Sequence, residues 1–438
     1  MLSEWLRSGE RVPPGLGLMS AAVTAATTVG PGANATVLGM DESGTPLLLD
    51  PESEECSLFQ NNTALEAAEG KAYTEGQALF VSVFLPVVLG LGVLNNLAFV
   101  YVVARVPRMR TVTNCYLVGL AAADVLFLVS AIGSRLWCFL HSPIYGDDTP
   151  LGLSGCLLTQ FVINTSYFST LCFITLVSWE RFNGVCRPHR RRDTRTRVAQ
   201  LVLVSLAASS LMSASLLPSL TKVVVECLAW PDRPPFDQWP RRRQLFFSVY
   251  DWVDLYSYGA QTVPFFASLV VNVAFYHRII RGLDRSMNRS RNQSGHLHHH
   301  HHRSSTHGSS GSSSDSTTRN QIARMLVING MALFALLAPF EIMSLFQLVG
   351  VLRGYEFVLP QEAREYLVAV ARVMSYFNAI VNPVIYTALS SRYRASFKIA
   401  FVPAYCRSHQ RQRIENSMHG STVTVQCGVS SKTHESRM

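Results

Sequence analysis

Seven long apolar segments constrain the fold of this chain more than any other feature of its sequence. A helix needs about 20 apolar residues to cross a hydrocarbon core of roughly 30 Å, and each segment reaches that length. Only 15% of the 438 residues are charged, against ~25% in typical soluble domains. The segments, named spans 1 to 7, lie near residues 77–104, 113–140, 153–182, 198–218, 251–280, 320–350 and 363–389. The sequence therefore predicts an all-α fold, a seven-transmembrane helix bundle over residues 77–389.

The distribution of basic residues predicts how this bundle is oriented. Arginines 105, 108 and 110 follow span 1, and six more follow span 3 within residues 187–197. Residues 1–76 contain more acidic than basic residues. Because the cytoplasmic flanks of membrane helices carry the excess of Lys and Arg, we expect the N-terminus outside and the C-terminus inside. The chain is expected to be a multi-pass protein of the plasma membrane.

Composition predicts three segments without regular structure. Residues 1–76 are expected to form a disordered extracellular tail and residues 403–438 a cytoplasmic tail. The cytoplasmic loop 281–319 is rich in Ser, Gly, His and Arg, which bury too little apolar surface to fold. The histidine run at residues 298–302 within that loop has two readings, a transition-metal site or a neutral repeat expansion. We expect the second, and no metal site.

A short amphipathic helix is predicted after span 7, over residues 390–402. Tyr393, Phe397 and Phe401 recur at i, i+4 and i+8, with basic residues between them. Such a helix lies along the inner membrane surface with its basic side chains toward lipid headgroups. Cys406, just beyond it, is a candidate for palmitoylation.

Cysteines and sequons fit the expected orientation. Cys156 opens span 3 and Cys227 follows span 4, both on the outer side. A disulfide between them would hold the loop after span 4 over the mouth of the bundle. Cys56 and Cys138 also lie outside and form an open second pairing. The sequons at Asn34 and Asn61 are candidate glycosylation sites on the outer tail.

Polar residues within the spans are candidates for function, because ionisable groups cost several kcal/mol in the hydrocarbon zone. Asp124 stands in span 2 among alanines and leucines. Asn96, Thr170, Asn378 and Asn382 offer oxygens and amides at similar depth. Together they predict a small polar cavity that can hold a sodium ion, with no other cofactor expected.

Two motifs lie near the cytoplasmic ends of spans 3 and 7. Glu180, Arg181 and Phe182 close span 3, where the adjacent opposite charges can form a local pair that releases the arginine when helices rearrange. The alternative is ordinary snorkelling of Arg181 toward the interface. In span 7, Pro383 and Tyr386 belong to the run Asn-Pro-Val-Ile-Tyr, where the proline frees a backbone carbonyl and permits a kink. Prolines also interrupt spans 5 and 6, at Pro264 and Pro339.

These residues resemble, in order and spacing, the rhodopsin-like (class A) G-protein-coupled receptors over roughly residues 77–406. Within that family, residues 109–118 and 376–386 are most similar to neuropeptide receptors, especially thyrotropin-releasing-hormone receptors. The resemblance implies an extracellular peptide ligand, a heterotrimeric G protein (of the Gq type) and arrestin as partners. It also implies that the motifs of spans 3 and 7 act in activation.

The resemblance further implies a ligand pocket in the outer half of the bundle. Arg372, ten residues before Asn382, matches an arginine that thyrotropin-releasing-hormone receptors use toward their ligand. Its alternative roles are snorkelling or pairing with Glu341. The sequence departs from those receptors at Glu341, where they have an arginine, and at Ile163, Asn164 and Phe168, which replace polar pocket residues of span 3. Asp254 is one of several outer acids that favour a ligand with some positive charge.

Other departures leave the signalling role open. Span 6 lacks the tryptophan that most members place two residues before Pro339, and Asn272 stands where a tyrosine is usual, eight residues after Pro264. A constitutive or non-signalling scavenger receptor of the same fold is therefore the alternative function.

Several classes of protein do not fit the sequence. Amine receptors need an acidic residue in outer span 3, and residues 157–168 contain none. Opsins need a lysine in span 7, and residues 363–389 contain none. Internal repeats typical of transporters and the common catalytic motifs of enzymes are missing from the sequence. The arginine-rich loop after span 3 is explained by membrane topology, so no nucleic-acid partner is expected.

Overall fold

The structure is a computed structural model that describes residues 56–187, 195–297, 310–353 and 361–401. Seven of its helices are long and apolar enough to cross a membrane. Span 1 is helical without a break over Glu75–Leu79, Phe80–Phe84 and Leu85–Arg105. Spans 2 to 7 are, in order, the helices Val112–His141, Gly152–Cys186, Arg195–Leu216, Asp251–Leu297, Ser310–Arg353 and Gln361–Leu389. The predicted seven-helix bundle is confirmed.

Span 3 lies at the centre of the bundle. It packs against spans 2, 4, 5 and 6 and is the most buried of the seven. Span 4 is the least buried, with large apolar side chains such as Leu203 and Leu211 facing outward. Polar side chains of span 3 are therefore enclosed by protein, which is where a membrane protein tolerates them.

Threonine side chains cap the first helical turns of spans 1 and 2. The Thr74 side chain accepts a hydrogen bond from the Gln77 backbone N–H, and the Gln77 side chain accepts one from the Thr74 N–H. This reciprocal capping box satisfies N–H groups that a helix start leaves unpaired. Thr111 caps span 2 in one direction only, by accepting from the Asn114 N–H.

A three-stranded sheet covers one end of the bundle, named here the N-terminal end. Strand β1 (Leu58–Asn61) runs parallel to β2 (Lys222–Ala229), which pairs antiparallel with β3 (Arg242–Phe247). A buried ion pair between Arg243 and Glu226 joins β3 to β2. The pattern of apolar spans does not predict this sheet, because two of its strands lie in the loop after span 4 and the third in the presumed tail.

The expectation of a disordered N-terminal tail is wrong for its described part, residues 56–76. A short helix, Leu65–Glu69, follows β1, and Ala72 pairs with Ile144 of the loop between spans 2 and 3. The backbone N–H of Tyr145 also donates to the Lys71 carbonyl over 2.9 Å. Backbone pairing with two loops orders this segment, which a composition argument does not consider.

The predicted disulfide between Cys156 and Cys227 is wrong. Cys227 is bonded to Cys56, with Cα atoms 5.7 Å apart, and Cys156 is an unbridged, buried thiol. The parallel pairing of β1 with β2 explains the difference, because it aligns Phe59 with Cys227 and brings Cys56 to the same strand. The alternative pair of Cys56 with Cys138 is also not formed, since Cys138 is a free thiol.

The predicted disorder of loop 281–319 is wrong at both flanks. Span 5 continues as helix to Leu297 and span 6 begins at Ser310. Once a helix is formed, each added residue contributes a hydrogen bond at little further cost, so these helices extend past the apolar stretches. The histidine run at residues 298–302 lies outside the described residues.

A helix over Ser391–Phe401 follows span 7 and agrees with the amphipathic helix predicted at 390–402. Tyr393, Ser396 and Ala400 are its buried residues, and Phe401 is exposed. The Tyr393 hydroxyl donates to Asn114 Oδ1 of span 2 over 2.5 Å. This contact fixes the helix against the end of the bundle opposite the sheet, named here the C-terminal end.

Candidate functional site

A buried acid–phenol pair joins spans 3 and 6 in the half of the bundle nearer the N-terminal end. The Tyr167 hydroxyl donates to Glu341 Oε1 over 2.6 Å. Glu341 is 0% exposed, so its carboxyl group has no access to bulk water. A buried carboxyl group needs such partners, and its second oxygen, Oε2, has none among the described residues.

Further unsatisfied polar groups lie on the face of span 3 that carries Tyr167 and on span 5, which packs against span 3. Gln160, Asn164 and Tyr167 follow at i, i+4 and i+7, so they share one face of span 3. Gln160 Oε1 and Asn164 Nδ2 are buried without a hydrogen-bond partner among the described residues, as is Gln261 Nε2 of span 5. Buried polar groups are nearly always satisfied in folded proteins. A cluster that leaves several of them open is suited to a ligand with its own donors and acceptors.

Buried apolar residues pack beside Tyr167. Phe168 contacts the Tyr167 ring at 5.2 Å between centroids and packs in a buried group with Phe265 and Phe334. Ile163 is also buried. Of the residues proposed for the ligand pocket, Glu341 and Phe168 both contact Tyr167, and Ile163 and Asn164 lie buried one helical turn earlier on span 3.

Arg372 and Asp254 lie in other clusters. The electrostatic partners of Arg372 include Arg135, Tyr145 and Asp148 at the N-terminal end, whereas Glu341 bonds to Tyr167. Both the ligand role of Arg372 and its alternative pairing with Glu341 stay predictions. Asp254 accepts a hydrogen bond from the Ser248 hydroxyl over 2.6 Å, at the start of span 5.

Asp148 is the acidic member of the Arg372 cluster. It is buried, and burial raises the pKa of its carboxyl group to about 7, against the opposing attraction of Arg135. Its neighbour Asp147 accepts hydrogen bonds from the Ser142 hydroxyl (2.7 Å) and the Thr149 backbone N–H (3.0 Å). The bonds of Asp147 fix the loop between spans 2 and 3 in which Asp148 lies.

Sequence reasoning missed Gln160, Tyr167 and Gln261. Their signal was present, because the polar residues Gln160 and Asn164 stand one helical turn apart in an otherwise apolar segment. Gln261 stands three residues before Pro264 in span 5. Their common environment depends on how spans 3, 5 and 6 pack, which no local pattern gives.

A second polar cluster lies near the middle of the bundle. Asn382 Nδ2 donates to Asp124 Oδ2 over 2.8 Å and to the Asn378 carbonyl over 3.2 Å. The side-chain oxygens of Asn378 and Asn382 are buried without a hydrogen-bond partner among the described residues. Thr170 is also buried, but no hydrogen bond to Asp124 is observed for it. The predicted polar cluster thus contains Asp124, Asn378 and Asn382 in one network.

Pro383 lies inside the span 7 helix, and span 1 supports the turn before it. A proline leaves the carbonyl four residues earlier without its helical partner, and this carbonyl belongs to Ala379. Asn96 Nδ2 donates to it over 2.8 Å, and Asn95 Nδ2 donates to the next carbonyl, of Ile380, also over 2.8 Å. Both asparagines of span 1 therefore satisfy backbone groups of span 7.

Comparison with known proteins agrees with this architecture. The sequence model of the 7 transmembrane receptor (rhodopsin family) matches residues 95–386. The chain belongs to this family. It is a membrane receptor with multiple spans and not an enzyme, as predicted.

Individual relatives of this rhodopsin-family receptor share about a quarter of its residues. It is 26% identical to a thyrotropin-releasing hormone receptor of Mus musculus, over 73% of this chain and 78% of the relative. It is 25% identical to a KiSS-1 receptor of Mus musculus, over 81% of this chain and 82% of the relative. It is 27% identical to a somatostatin receptor type 5 of Bos taurus, over 74% of this chain and 76% of the relative.

At the C-terminal end of the receptor, Phe182 stacks on Phe275 of span 5 with ring centroids 5.5 Å apart. Glu180 and Arg181 are half-buried, and Arg181 interacts electrostatically with Tyr393. Tyr386 is buried against Phe99, 5.3 Å away. These contacts join spans 1, 3, 5, 7 and the amphipathic helix around the two predicted activation motifs.

Asn272, which replaces the usual tyrosine of the family, is fully buried in a polar contact between spans 3 and 5. Its Nδ2 donates to Thr175 Oγ1 over 2.9 Å and to the Ser268 carbonyl over 2.8 Å. One turn further along span 5, the Tyr276 hydroxyl accepts a hydrogen bond from Ser178 over 3.2 Å. Pro339 lies inside the span 6 helix.

The modification sites are only partly within the described residues. Asn61 is exposed at the end of β1, where its side-chain oxygen accepts from the Thr63 hydroxyl over 2.8 Å. An exposed sequon at this end suits the predicted glycosylation. Asn34 and Cys406 lie outside the described residues.

Proposed function

We propose that this receptor binds an extracellular neuropeptide and transmits the signal to a heterotrimeric G protein. The observation that carries the proposal is the open polar cluster of Gln160, Asn164, Gln261 and Glu341. It lies in the half of the bundle that the basic-residue distribution assigns to the outside. The relatives named after thyrotropin-releasing hormone, KiSS-1 and somatostatin are receptors of peptides, which supports a ligand of the same class.

The chemistry of the cluster suits a peptide. Backbone amides supply both donors and acceptors, so they can satisfy the Gln160 oxygen and the Asn164 and Gln261 amide nitrogens together. Glu341 is the acid of the cluster, and a cationic or N–H group of the ligand would complete the bonding of its free oxygen. Arg372 would contact a different part of the ligand, nearer the mouth, together with Asp254 at the start of span 5.

Signalling would use the C-terminal end of the bundle. In this proposal the ligand stabilises an arrangement in which that end opens to a G protein of the Gq type, and arrestin binds the same end afterwards. Arg181, Phe182 and Tyr386 would take part, because their contacts join the helices that have to separate. Lipid headgroups would bind the basic side chains of the amphipathic helix.

A sodium ion near Asp124 is part of the proposal. The buried side-chain oxygens of Asn378 and Asn382 lack partners among the described residues, and oxygen ligands suit a hard cation. Asp124 would supply the negative charge. The ion would stabilise the arrangement of spans 2 and 7 that does not signal.

A non-signalling scavenger receptor is the second candidate. Asn272 favours it, because its hydrogen bond to Thr175 ties span 5 to span 3, two helices whose relative movement would open the cytoplasmic end. Span 6 also lacks the usual tryptophan before Pro339.

A peptide-library screen on cells that express the receptor tests the proposal. We expect at least one peptide to release calcium, with no response in parental cells and none in cells that express Arg181→Ala at equal surface density. A labelled form of that peptide should still bind to the Arg181→Ala cells. Binding to the parent receptor without a calcium or cAMP response would contradict G-protein signalling and support the scavenger function.

A further inference from the structure

Four cysteines lie at the N-terminal end of the bundle, and the disulfide in the structure accounts for two of them. Cys56 is bonded to Cys227, which ties the segment before span 1 to the loop after span 4. Cys138, near the end of span 2, and Cys156, near the start of span 3, are both buried thiols. A free pair of thiols at one end of two neighbouring helices is a pair that can be oxidised.

The two thiols share one neighbour, Asp148. The Cys138 Sγ donates to Asp148 Oδ1 over 3.8 Å, and the Cys156 Sγ donates to the Asp148 backbone oxygen over 3.9 Å. A thiol is a weak hydrogen-bond donor. Both sulfur atoms lie against the same residue. Because the hydrogen bonds of thiols are weak, breaking these two contacts costs little free energy.

The connection between the two helices is held by several bonds. The Trp137 indole N–H donates to the Pro150 carbonyl over 3.0 Å, and the Ser142 hydroxyl donates to Asp147 over 2.7 Å. The residues on both sides of Cys138 and the loop that leads to Cys156 are thus fixed by contacts that do not involve sulfur. The fold would keep the two cysteines close in the reduced form as well as in an oxidised one.

We propose that Cys138 and Cys156 form a second disulfide, which joins span 2 to span 3 beside the mouth of the bundle. The proposal rests on the orientation in the proposed function, because disulfides form and persist on the extracytoplasmic side of a membrane. With this bond, each of the four cysteines at that end has a partner.

The oxidant is a disulfide-bonded oxidoreductase of the secretory pathway, acting before the bundle closes over the thiols. The Cys156 thiolate attacks a sulfur of the oxidant's disulfide and forms a mixed disulfide. The Cys138 thiolate then attacks Cys156 Sγ and releases the oxidant. Two S–H bonds are lost and one S–S bond is formed in the receptor, while the oxidant's disulfide becomes two thiols.

Peptide mapping of the full-length receptor from the cell surface tests the assignment. The protein is alkylated, kept unreduced and cut with trypsin and with a protease that cleaves before aspartate. Cys138 is then in fragment 136–146, Cys156 in 148–181 and Cys227 in 223–231. We expect fragments 136–146 and 148–181 to be linked, and tandem mass spectrometry to place the bond at Cys156 rather than Cys172.

The link between Cys56 and Cys227 is the internal control. If that link is found and Cys138 and Cys156 are alkylated, the second disulfide is wrong while the orientation stands. If fragment 148–181 is linked to 223–231, both pairings described here are wrong. If all four cysteines are alkylated, the proposed orientation itself fails.

Alanine variants give a second measurement on the same bond. If the two sulfurs are bonded, the double variant Cys138→Ala with Cys156→Ala should lose no more surface expression than either single variant. Two independent thiols would instead give losses that multiply. Cys172→Ala, in the same span as Cys156, is the control for removing a thiol from span 3.

Discussion

Asn96 donates a hydrogen bond from its side-chain nitrogen to the carbonyl oxygen of Ala379, across 2.8 Å between span 1 and span 7. This carbonyl is the one that Pro383 deprives of its helical partner. The same nitrogen also donates to the Gly92 carbonyl over 3.0 Å. Asn96 thus both packs span 1 against span 7 and supplies the hydrogen bond that Pro383 removes from the Ala379 carbonyl.

We expect Asn96→Ala to destabilise the receptor, because it leaves a buried carbonyl unsatisfied at a cost of about 1–3 kcal/mol. Asn95→Ala is the matched control, since Asn95 is only half-buried and its carbonyl partner lies closer to lipid. The measurement is the apparent melting temperature of the purified receptor. Equal losses in the two variants would show that burial of Asn96 is not the decisive factor.

Glu341→Gln should weaken the response to a peptide agonist. A charge-assisted hydrogen bond contributes about 1.5–3 kcal/mol, so we expect the half-effective concentration to rise about tenfold or more. Asp237→Asn is the control for losing an acid outside the proposed pocket, because Asp237 is exposed on the loop after span 4. An unchanged half-effective concentration in Glu341→Gln, at equal surface density, would mean that Glu341 serves only its contact with Tyr167.

Asp124→Asn should abolish the effect of sodium on agonist affinity. Without the carboxylate, the network of Asn378 and Asn382 loses the negative charge that attracts a cation. The measurement is agonist binding titrated against sodium chloride, with choline chloride as the control for ionic strength. Overlapping sodium titrations of the parent and the variant would contradict a sodium site here.

The sequence predicts the helices well because each span has a local signal, a run of apolar residues long enough to cross a membrane. It predicts Asp124 with Asn382 for the same reason, since each is a polar residue that stands out in an apolar segment. The partner of Cys227 has no such signal. It depends on the parallel pairing of β1 with β2, which joins residues far apart in the chain, so orientation alone did not separate Cys56 from Cys156.

Gly330→Ala should destabilise the contact between spans 5 and 6. A Cβ atom at this position would overlap the hydroxyl of Tyr276, which is buried and bonded to Ser178. Overpacking of this kind costs about 1–3 kcal/mol. We expect a lower melting temperature for Gly330→Ala, restored in part by adding Tyr276→Leu. Gly133→Ala is the control, because a Cβ there meets nothing within 4 Å, and an equal loss in that variant would contradict the explanation.

Asp148→Asn should remove a pH dependence of stability. Burial raises the pKa of Asp148 from 3.8 to about 7, so the folded receptor holds this proton more tightly than the unfolded chain does. The group therefore contributes stability that is fully present below pH 4 and is lost as the pH rises through about 7. Arg135 and Arg372 face the carboxyl group and act against the shift, while Asp147 adds to it.

The measurement for Asp148 is the difference in melting temperature between parent and variant from pH 5 to pH 8. We expect the parent to lose stability relative to Asp148→Asn as the pH rises, with most of the change complete just above pH 7. Asp147→Asn is the neighbouring comparison, and it should lessen the slope without removing it, because Asp147 adds to the shift of Asp148. A difference that stays constant over this range would show that Asp148 remains charged in the folded receptor, held by Arg135 and Arg372 in spite of its burial.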